Sequence, residues 1–177
     1  MSVSNGQLVN GRKLQLPHKA VGIAHHQGAL YITSGTALYH YTLTGTLVKN
    51  LYEDRSGYGS TVYKCAVSPA GDKIYVTNYA QKKLITMATD GTLISTFTDP
   101  EPLVAEGVHA THAGQVLVCG SSSHTVIQVD HEGGKKLATL ASQTDGLFYP
   151  LSVCYNNISD QIIVGVDADN IIVMDLQ

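Results

Sequence analysis

"DKIYVTNYAQKKLITMATDGTLISTF", residues 72–97, recurs with changes three more times along the chain. The stretch predicts a strand, a polar loop, a strand, a tight turn and a strand, because β-branched residues, Leu and Tyr fill the runs while Gly, Asn, Asp or Ser fill the breaks. The Asp90-Gly91 pair predicts a two-residue hairpin turn with positive φ. None of the copies shows a 3.6-residue amphipathic period, so the chain is predicted to be all-β.

The spacing of the four copies predicts the architecture. The copies begin at Gly22, Lys64, Gly107 and Ser152. Their second strands are anchored by aliphatic residues 44, 42 and 46 residues apart, namely Leu30, Ile74, Val116 and Ile162. This period is typical of a four-stranded propeller blade. Residues 1–177 are therefore predicted to form one β-propeller domain of about four blades, at approximately 20–60, 61–104, 105–148 and 149–177.

The last copy ends after three strands, and the N-terminal segment offers a fourth. Residues 5–9, NGQLV, resemble residues 90–94, DGTLI, which lead into an outer strand. Residues 1–14 are therefore predicted to complete the last blade as its outer strand. Closure of this kind removes sheet edges that would otherwise promote aggregation.

Composition narrows the class of protein. The 177 residues carry a net charge of −3, and the eleven Lys and Arg residues are scattered, which disfavours strong nucleic-acid binding. No apolar run approaches the 18 or so residues of a membrane span. The three cysteines are widely spaced and no apolar leader precedes the repeats, so we expect reduced thiols and a cytoplasmic protein. The cysteines lie on apolar strand positions, Cys65, Cys119 and Cys154, and are expected to react slowly.

The repeat pattern resembles a known family. GIAHH at residue 22, KCAVS with KIYVTN at residues 64 and 73, and GVHAT with QVLVCG at residues 107 and 115 are similar to the NHL repeat. The C-terminal half is similar to the C-terminal propellers of tripartite-motif proteins in molluscs and other invertebrates. The resemblance implies an NHL-type propeller that binds protein or RNA. It departs from the family in its four blades, where six are usual, and in lacking RING, B-box and coiled-coil segments, so ligase activity is not implied.

Catalytic and metal chemistry find little support. His109 and His112 are three apart on a predicted strand and therefore point to opposite faces, unlike a helical pair. The third positions of the innermost strands lack the carboxylates that Ca²⁺ prefers, being Ala24, Ala66, His109 and Cys154. We predict no metal, no cofactor and no catalytic residues. A propeller lyase or lactonase, or a nucleophile pair formed by His109 and Cys154, is the alternative.

One face of the propeller carries the candidate site. Strand direction alternates within a blade, so the loops after each second strand and the loops between blades emerge together. Exposed Arg and Tyr are typical interface anchors. The candidate partner-binding residues are Arg55, Tyr58, Tyr79, Lys82, His124 and Tyr149, with Phe148 beside them. For Tyr58, Phe148 and Tyr149, packing between blades is an equally good interpretation.

The predicted function is non-enzymatic binding of a protein or peptide on this face. The first alternative is RNA binding, in which tyrosines would stack on bases and nearby cations would contact phosphates. Those cations are Lys19, Arg55, Lys82, Lys83 and His124. No membrane partner is expected, and an oligomer is expected if the ring is incomplete.

Overall fold

The computed structural model describes residues 3–4, 7–8, 13–101 and 103–175, with side chains from Lys13 onward. The predicted all-β propeller with four blades is confirmed, and the described residues contain seventeen short strands and one 3-10 turn, Gln143–Asp145. In this part of the chain no helix is long and apolar enough to cross a membrane.

Each blade is one antiparallel sheet whose strands follow the chain order from the centre outward. Blade 1 contains β3 (Gly22–His26), β4 (Ala29–Thr33), β5 (Ala37–Thr42) and β6 (Leu47–Glu53). Blade 2 contains β7 (Cys65–Val67), β8 (Lys73–Asn78), β9 (Lys83–Ala88) and β10 (Leu93–Phe97). Blade 3 contains β11 (Ala105–Ala110), β12 (Val116–Gly120), β13 (Thr125–Val129) and β14 (Lys136–Ala141). Blade 4 contains β15 (Pro150–Asn156), β16 (Gln161–Val166) and β17 (Ile171–Asp175).

Apolar side chains pack between consecutive blades, because each sheet has two faces to cover. Leu38 and Cys65 belong to the cluster between blades 1 and 2. Leu84 and Leu103 belong to the cluster between blades 2 and 3, and Leu147 to that between blades 3 and 4. Each pair of consecutive blades is thus joined by its own core, here called a junction. Among the described residues, no such cluster joins blade 4 to blade 1.

The innermost strands approach one another closely. A Cβ on Gly22 would lie 3.0 Å from the Cα of Lys64, and a Cβ on Gly107 would lie 2.9 Å from the Cα of Ser152. Because a Cβ contact of 2.9 Å is shorter than real ones and one of 3.0 Å is tighter than most, glycine allows blades 1 and 2, and blades 3 and 4, to approach this closely at the centre. These contacts set the width of the central cavity.

The N-terminal segment differs from its predicted role. Its described strands, β1 (Val3–Ser4) and β2 (Gln7–Leu8), pair with each other, and the sheet of blade 4 has three strands. The sequence between β1 and β2 is Asn-Gly, a dipeptide that favours two-residue hairpin turns. The described strands therefore do not show the predicted completion of the last blade by residues 1–14; residues 1–2, 5–6 and 9–12, on which that prediction also depends, lie outside the described residues.

The predicted turn at Asp90-Gly91 also differs in detail. Gly91 has a φ of 96°, whereas Asp90 is not among the residues with positive φ. The backbone N–H of Ala88 donates to the carbonyl of Thr92 at 2.8 Å, and that of Gly91 donates to Ala88 at 2.9 Å. One left-handed glycine at the end of a longer turn therefore replaces the two-residue primed turn.

Candidate functional site

The loop face consists of the loops that follow each second strand together with the segments between blades. Hydrogen bonds fix these loops to one another. The backbone of Gly35 exchanges hydrogen bonds of 3.1 and 3.0 Å with Val62, and the Ala80 N–H donates to Ser60 at 3.1 Å. The Gln81 side-chain amide donates to the Ser56 carbonyl at 3.2 Å. Each loop is thereby anchored to the junction beside it, so its side chains have a defined position.

Four predicted site residues lie on the part of the loop face near blades 1 and 2. Arg55 and Lys82 are exposed, and Arg55 forms an ion pair with Glu53. Tyr58 is fully exposed. Tyr79 is 42% exposed, and its ring centroid lies 5.7 Å from that of Tyr63. These residues form the first group.

The second group lies at the junction of blades 3 and 4. The backbone N–H of Tyr149 donates to Nδ1 of His124 at 3.0 Å, so Nδ1 is the unprotonated ring nitrogen. The two rings meet edge to face with centroids 4.4 Å apart, and the Phe148 ring lies 5.8 Å from His124. Tyr149 has a φ of 45°, an unfavourable conformation for a bulky residue, which the hydrogen bond from its N–H to His124 helps to hold.

The exposure of the aromatic residues shows whether they pack between blades or lie on the surface of the loop face. Phe148 and Tyr149 are 49% and 54% exposed, and Tyr58 is fully exposed. The residue that covers the junction is the neighbouring Leu147, which is fully buried. The aromatic residues are therefore surface residues of the loop face. No hydrogen bond or ring contact of the described residues joins the first group to the second.

Lys82 and His124 share a backbone feature. Lys82 has a φ of 54° and His124 a φ of 53°, and each is the last residue before the third strand of its blade. Both residues close a four-residue loop, residues 79–82 in blade 2 and 121–124 in blade 3. The two loops thus end in the same left-handed turn while presenting different side chains.

The structure adds a cleft that sequence reasoning missed. Tyr63, Tyr79 and Glu106 line a depression of about 270 Å³ beside the first group. Burial raises the pKa of Tyr63, and the negative charge of Glu106 and a hydrogen bond to it raise it further. The Lys64 ammonium lies 4.8 Å from the centroid of the Tyr63 ring and donates to the Val21 carbonyl at 2.9 Å.

Repeat alignment contained a signal for this cleft. The residues immediately before the start of each repeat copy are Val21, Tyr63, Glu106 and Leu151. Two are aliphatic, and the other two, Tyr63 and Glu106, line the cleft. Glu106 also lies at a register shift between Ala105 and Gly107, and such bulges redirect side chains. The bulge could not be predicted from the strand pattern alone.

The central cavity has a volume of about 420 Å³ and is lined by the innermost strands of all four blades. Its walls are mainly aliphatic, including Ile23, Val108 and Val153, and its ionisable side chains are Lys64, Cys65 and Glu106. Burial raises the pKa of the Cys65 thiol to about 12, so this cysteine is protonated at neutral pH.

The candidate nucleophile pair is not assembled. His109 lines a separate cavity with His112 and Tyr155, and burial lowers the pKa of His109. Cys154 is exposed on blade 4, and no hydrogen bond links it to His109 among the described residues. Within the described ranges no three His, Cys, Asp or Glu side chains are grouped so that they could hold a metal ion. Cys154 also corrects the expectation that all three thiols are covered: only Cys65 and Cys119 are buried.

Two of the five cations proposed for RNA binding have acidic neighbours. Arg55 is paired with Glu53. The pKa of Asp54 is lowered chiefly by hydrogen bonding from the Ser56 hydroxyl and also by the charge of Lys83. Because acidic side chains accompany two of these cations, this part of the loop face is not a uniformly positive surface.

Comparison with known proteins supports the fold. No family model and no curated protein matches the chain. Hydrazine synthase of Kuenenia stuttgartiensis is 13% identical over 96% of this chain and 49% of its own, with a TM-score of 0.73. Virginiamycin B lyase from Staphylococcus aureus is 13% identical over 89% of this chain and 55% of its own, with a TM-score of 0.62.

A third structure, that of a nidogen/laminin complex, is 15% identical over 88% of this chain and 64% of the matched chain, with a TM-score of 0.69. The chain thus spans about half to two thirds of these three proteins' chains. Structural similarity at such low sequence identity supports a shared fold and nothing further. Together with the four blades, it defines the chain as a β-propeller protein.

Proposed function

We propose that the chain is a non-enzymatic propeller of NHL type that binds a protein or peptide through its loop face. The observation that carries the proposal is the exposure of Tyr58, Tyr79, Phe148 and Tyr149 on that face. Large aromatic side chains, and above all tyrosines with their polar hydroxyl, contribute disproportionately to protein interfaces, because they bury much area at a small cost in side-chain entropy.

The first group and the adjacent cleft define the chemistry of the partner. Tyr63 and Tyr79 offer aromatic surface, and Glu106 offers a carboxylate that forms no ion pair among the described residues. This combination suits a peptide side chain with an apolar stem and a hydrogen-bond donor at its end, such as Lys or Arg. The similar chain in the nidogen/laminin structure belongs to a protein complex, which is consistent with this mode of use for the fold.

The test uses a displayed library of random peptides selected on the immobilised wild-type chain. Selected peptides are then titrated against Arg55→Ala, Tyr79→Ala and the control Ile158→Ala, whose side chain is exposed in the β15–β16 turn. We expect each loop-face variant to weaken binding by more than about 1 kcal/mol while the melting temperature stays nearly unchanged. The control should bind like wild type.

Two outcomes would contradict the proposal. Equal binding by wild type and both loop-face variants would place the peptide site elsewhere, and unfolding of Tyr79→Ala would make Tyr79 a packing residue. A random single-stranded RNA pool separates the alternative, since RNA binding should fall steeply between about 50 and 200 mM salt. Hydrolysis or elimination activity at the central cavity would overturn the non-enzymatic part of the proposal.

A further inference from the structure

The repeats place equivalent residues in the four blades, and one of them is exposed where the others are buried. In each blade one aliphatic residue of the third strand pairs with the residue three positions after the anchor of the second strand. These pairs are Leu38 with Thr33, Leu84 with Thr77, Val126 with Cys119, and Ile171 with Gly165. The first three aliphatic residues are 0% exposed, whereas Ile171 is 66% exposed. Ile171 therefore occupies a core position of the repeat, but no following blade covers it in the described part of the chain.

Neighbouring positions on blade 4 follow the same rule. Ile163 is equivalent to Tyr31, Tyr75 and Leu117, which are all buried in junctions or between sheets, but Ile163 is only half-buried. Val173 pairs with Ile163 and is half exposed. Together with Cys154 and Ile171, these residues form a surface here called the free face of blade 4. In the other blades the equivalent face packs on the following blade.

The complementary surface is exposed at the other end of the arc of blades. Ile23 of blade 1 is equivalent to Cys65 of blade 2, which is buried in the first junction together with Leu38. Ile23, however, is 63% exposed. The chain thus carries both halves of a junction, one on blade 4 and one on blade 1, and in this structure the two halves do not cover each other.

The segment before blade 1 leaves room for such a junction. His18 stacks on Tyr39 at 4.1 Å between centroids and hydrogen-bonds the Tyr41 hydroxyl at 2.8 Å. Counting back from the equivalent glycines Gly22 and Gly107, His18 corresponds to Leu103, which is fully buried in the second junction. A lead-in segment therefore lies inside an ordinary junction, and it does not block one here.

Charge favours pairing of these two ends. Residues 1–52 contain four Lys or Arg residues and no Asp or Glu, whereas residues 137–177 contain five Asp residues and no Lys or Arg. Blade 4 (Pro150–Asp175) is thus acidic, with four Asp residues, whereas blade 1 itself (Gly22–Glu53) carries one Lys and one Glu, and the positive charge lies on the segment before it. Two blade 4 faces would repel each other, whereas a blade 4 face attracts the basic segment before blade 1 of another molecule.

We propose that two copies of the chain join head to tail, with the free face of blade 4 packed on blade 1 of the partner subunit. Ile171 then occupies the place of Leu38, and Ile23 of the partner subunit occupies that of Cys65. The contact joins different surfaces, so it occurs twice and closes a ring of eight blades, within the usual range for propellers. Solved neighbours whose chains are longer than this one show that the fold is also found in larger proteins.

Sedimentation velocity of the full chain over a dilution series tests the assembly. We expect a species of twice the 18.9-kDa chain mass. Ile171→Glu should raise the dissociation constant at least tenfold, because it places an unpaired charge against the apolar Ile23 of the partner subunit. Ile158→Glu is the matched control, since Ile158 is 93% exposed in a turn outside the free face, and it should remain a dimer. Circular dichroism verifies that each variant is folded.

A mixing experiment tests the direction of the contact. Ile23→Lys and Ile171→Glu should each be monomeric alone, whereas an equimolar mixture should form a dimer, because one junction becomes a Lys–Glu contact and the other keeps both native isoleucines. A contact between two blade 4 faces predicts no such recovery. A monomeric wild type, a species larger than two copies, an intact Ile171→Glu dimer, or a mixture that stays monomeric would each overturn the proposal.

Discussion

Replacing Leu84 by Ala should reveal how strongly the second junction holds the propeller together. Leu84 is 0% exposed and packs between blades 2 and 3. The substitution removes three carbon atoms' worth of burial, about 0.8 kcal/mol each, and leaves a cavity between two sheets that cannot both move inward. We therefore expect the free energy of unfolding to fall by about 2–5 kcal/mol.

The matched control is Leu93→Ala in the outer strand of the same blade. Leu93 is 58% exposed, so less than half of its transfer free energy is realised and no closed cavity forms. Its cost should stay below about 1 kcal/mol. The assay is urea unfolding followed by circular dichroism, because the chain contains no Trp. With a slope of about 2 kcal/mol per molar, Leu84→Ala should lower the midpoint by about 1–2.5 M. Equal midpoint shifts for the two variants would refute this account of the junctions.

Two further predictions concern the reactivity of the cysteine thiols and the loss of stability at acid pH. Cys154 should react with a maleimide at least tenfold faster than Cys65 and Cys119, whose pKa values burial raises to about 12; simultaneous reaction of all three only on unfolding would contradict the exposed position of Cys154. The Ser68 hydroxyl and the Lys73 ammonium lower the pKa of Asp72, so the folded state binds fewer protons than the unfolded state. The stability that Asp72 contributes is therefore present at neutral pH and lost as pH falls below about 4. Asp72→Asn should reduce the loss in urea midpoint between neutral and acid pH, and an unchanged loss would exclude this contribution.

The architecture could be predicted because each blade is specified by local features that recur. The anchors Leu30, Ile74, Val116 and Ile162 all lie on second strands, as their spacing indicates. The pairing of the N-terminal segment could not be predicted, because similarity to DGTLI does not reveal which strand a segment pairs with. Local Asn-Gly turn chemistry favours the pairing of β1 with β2.

The candidate site could be predicted only as a set of loops. Strand alternation placed Arg55, Tyr79 and His124 on one face, but the exposure of Phe148 and Tyr149 depended on whether Leu147 alone could fill the junction of blades 3 and 4. The position of Glu106 in the wall of the cleft depended on a β-bulge in its strand. Such features arise from packing between blades, which periodicity within one blade does not specify.

The shared left-handed residue that closes residues 79–82 and 121–124 has a consequence for how this surface can vary. Because both segments have the same length and finish in the same backbone conformation, they are interchangeable inserts on a fixed frame. The tetrapeptide of one blade could be grafted onto the other without altering the strands that carry it. Exposed side chains such as Tyr79 and Lys82 can therefore vary while the blades stay intact, whereas Gln81 and His124 also hold neighbouring segments in place through hydrogen bonds.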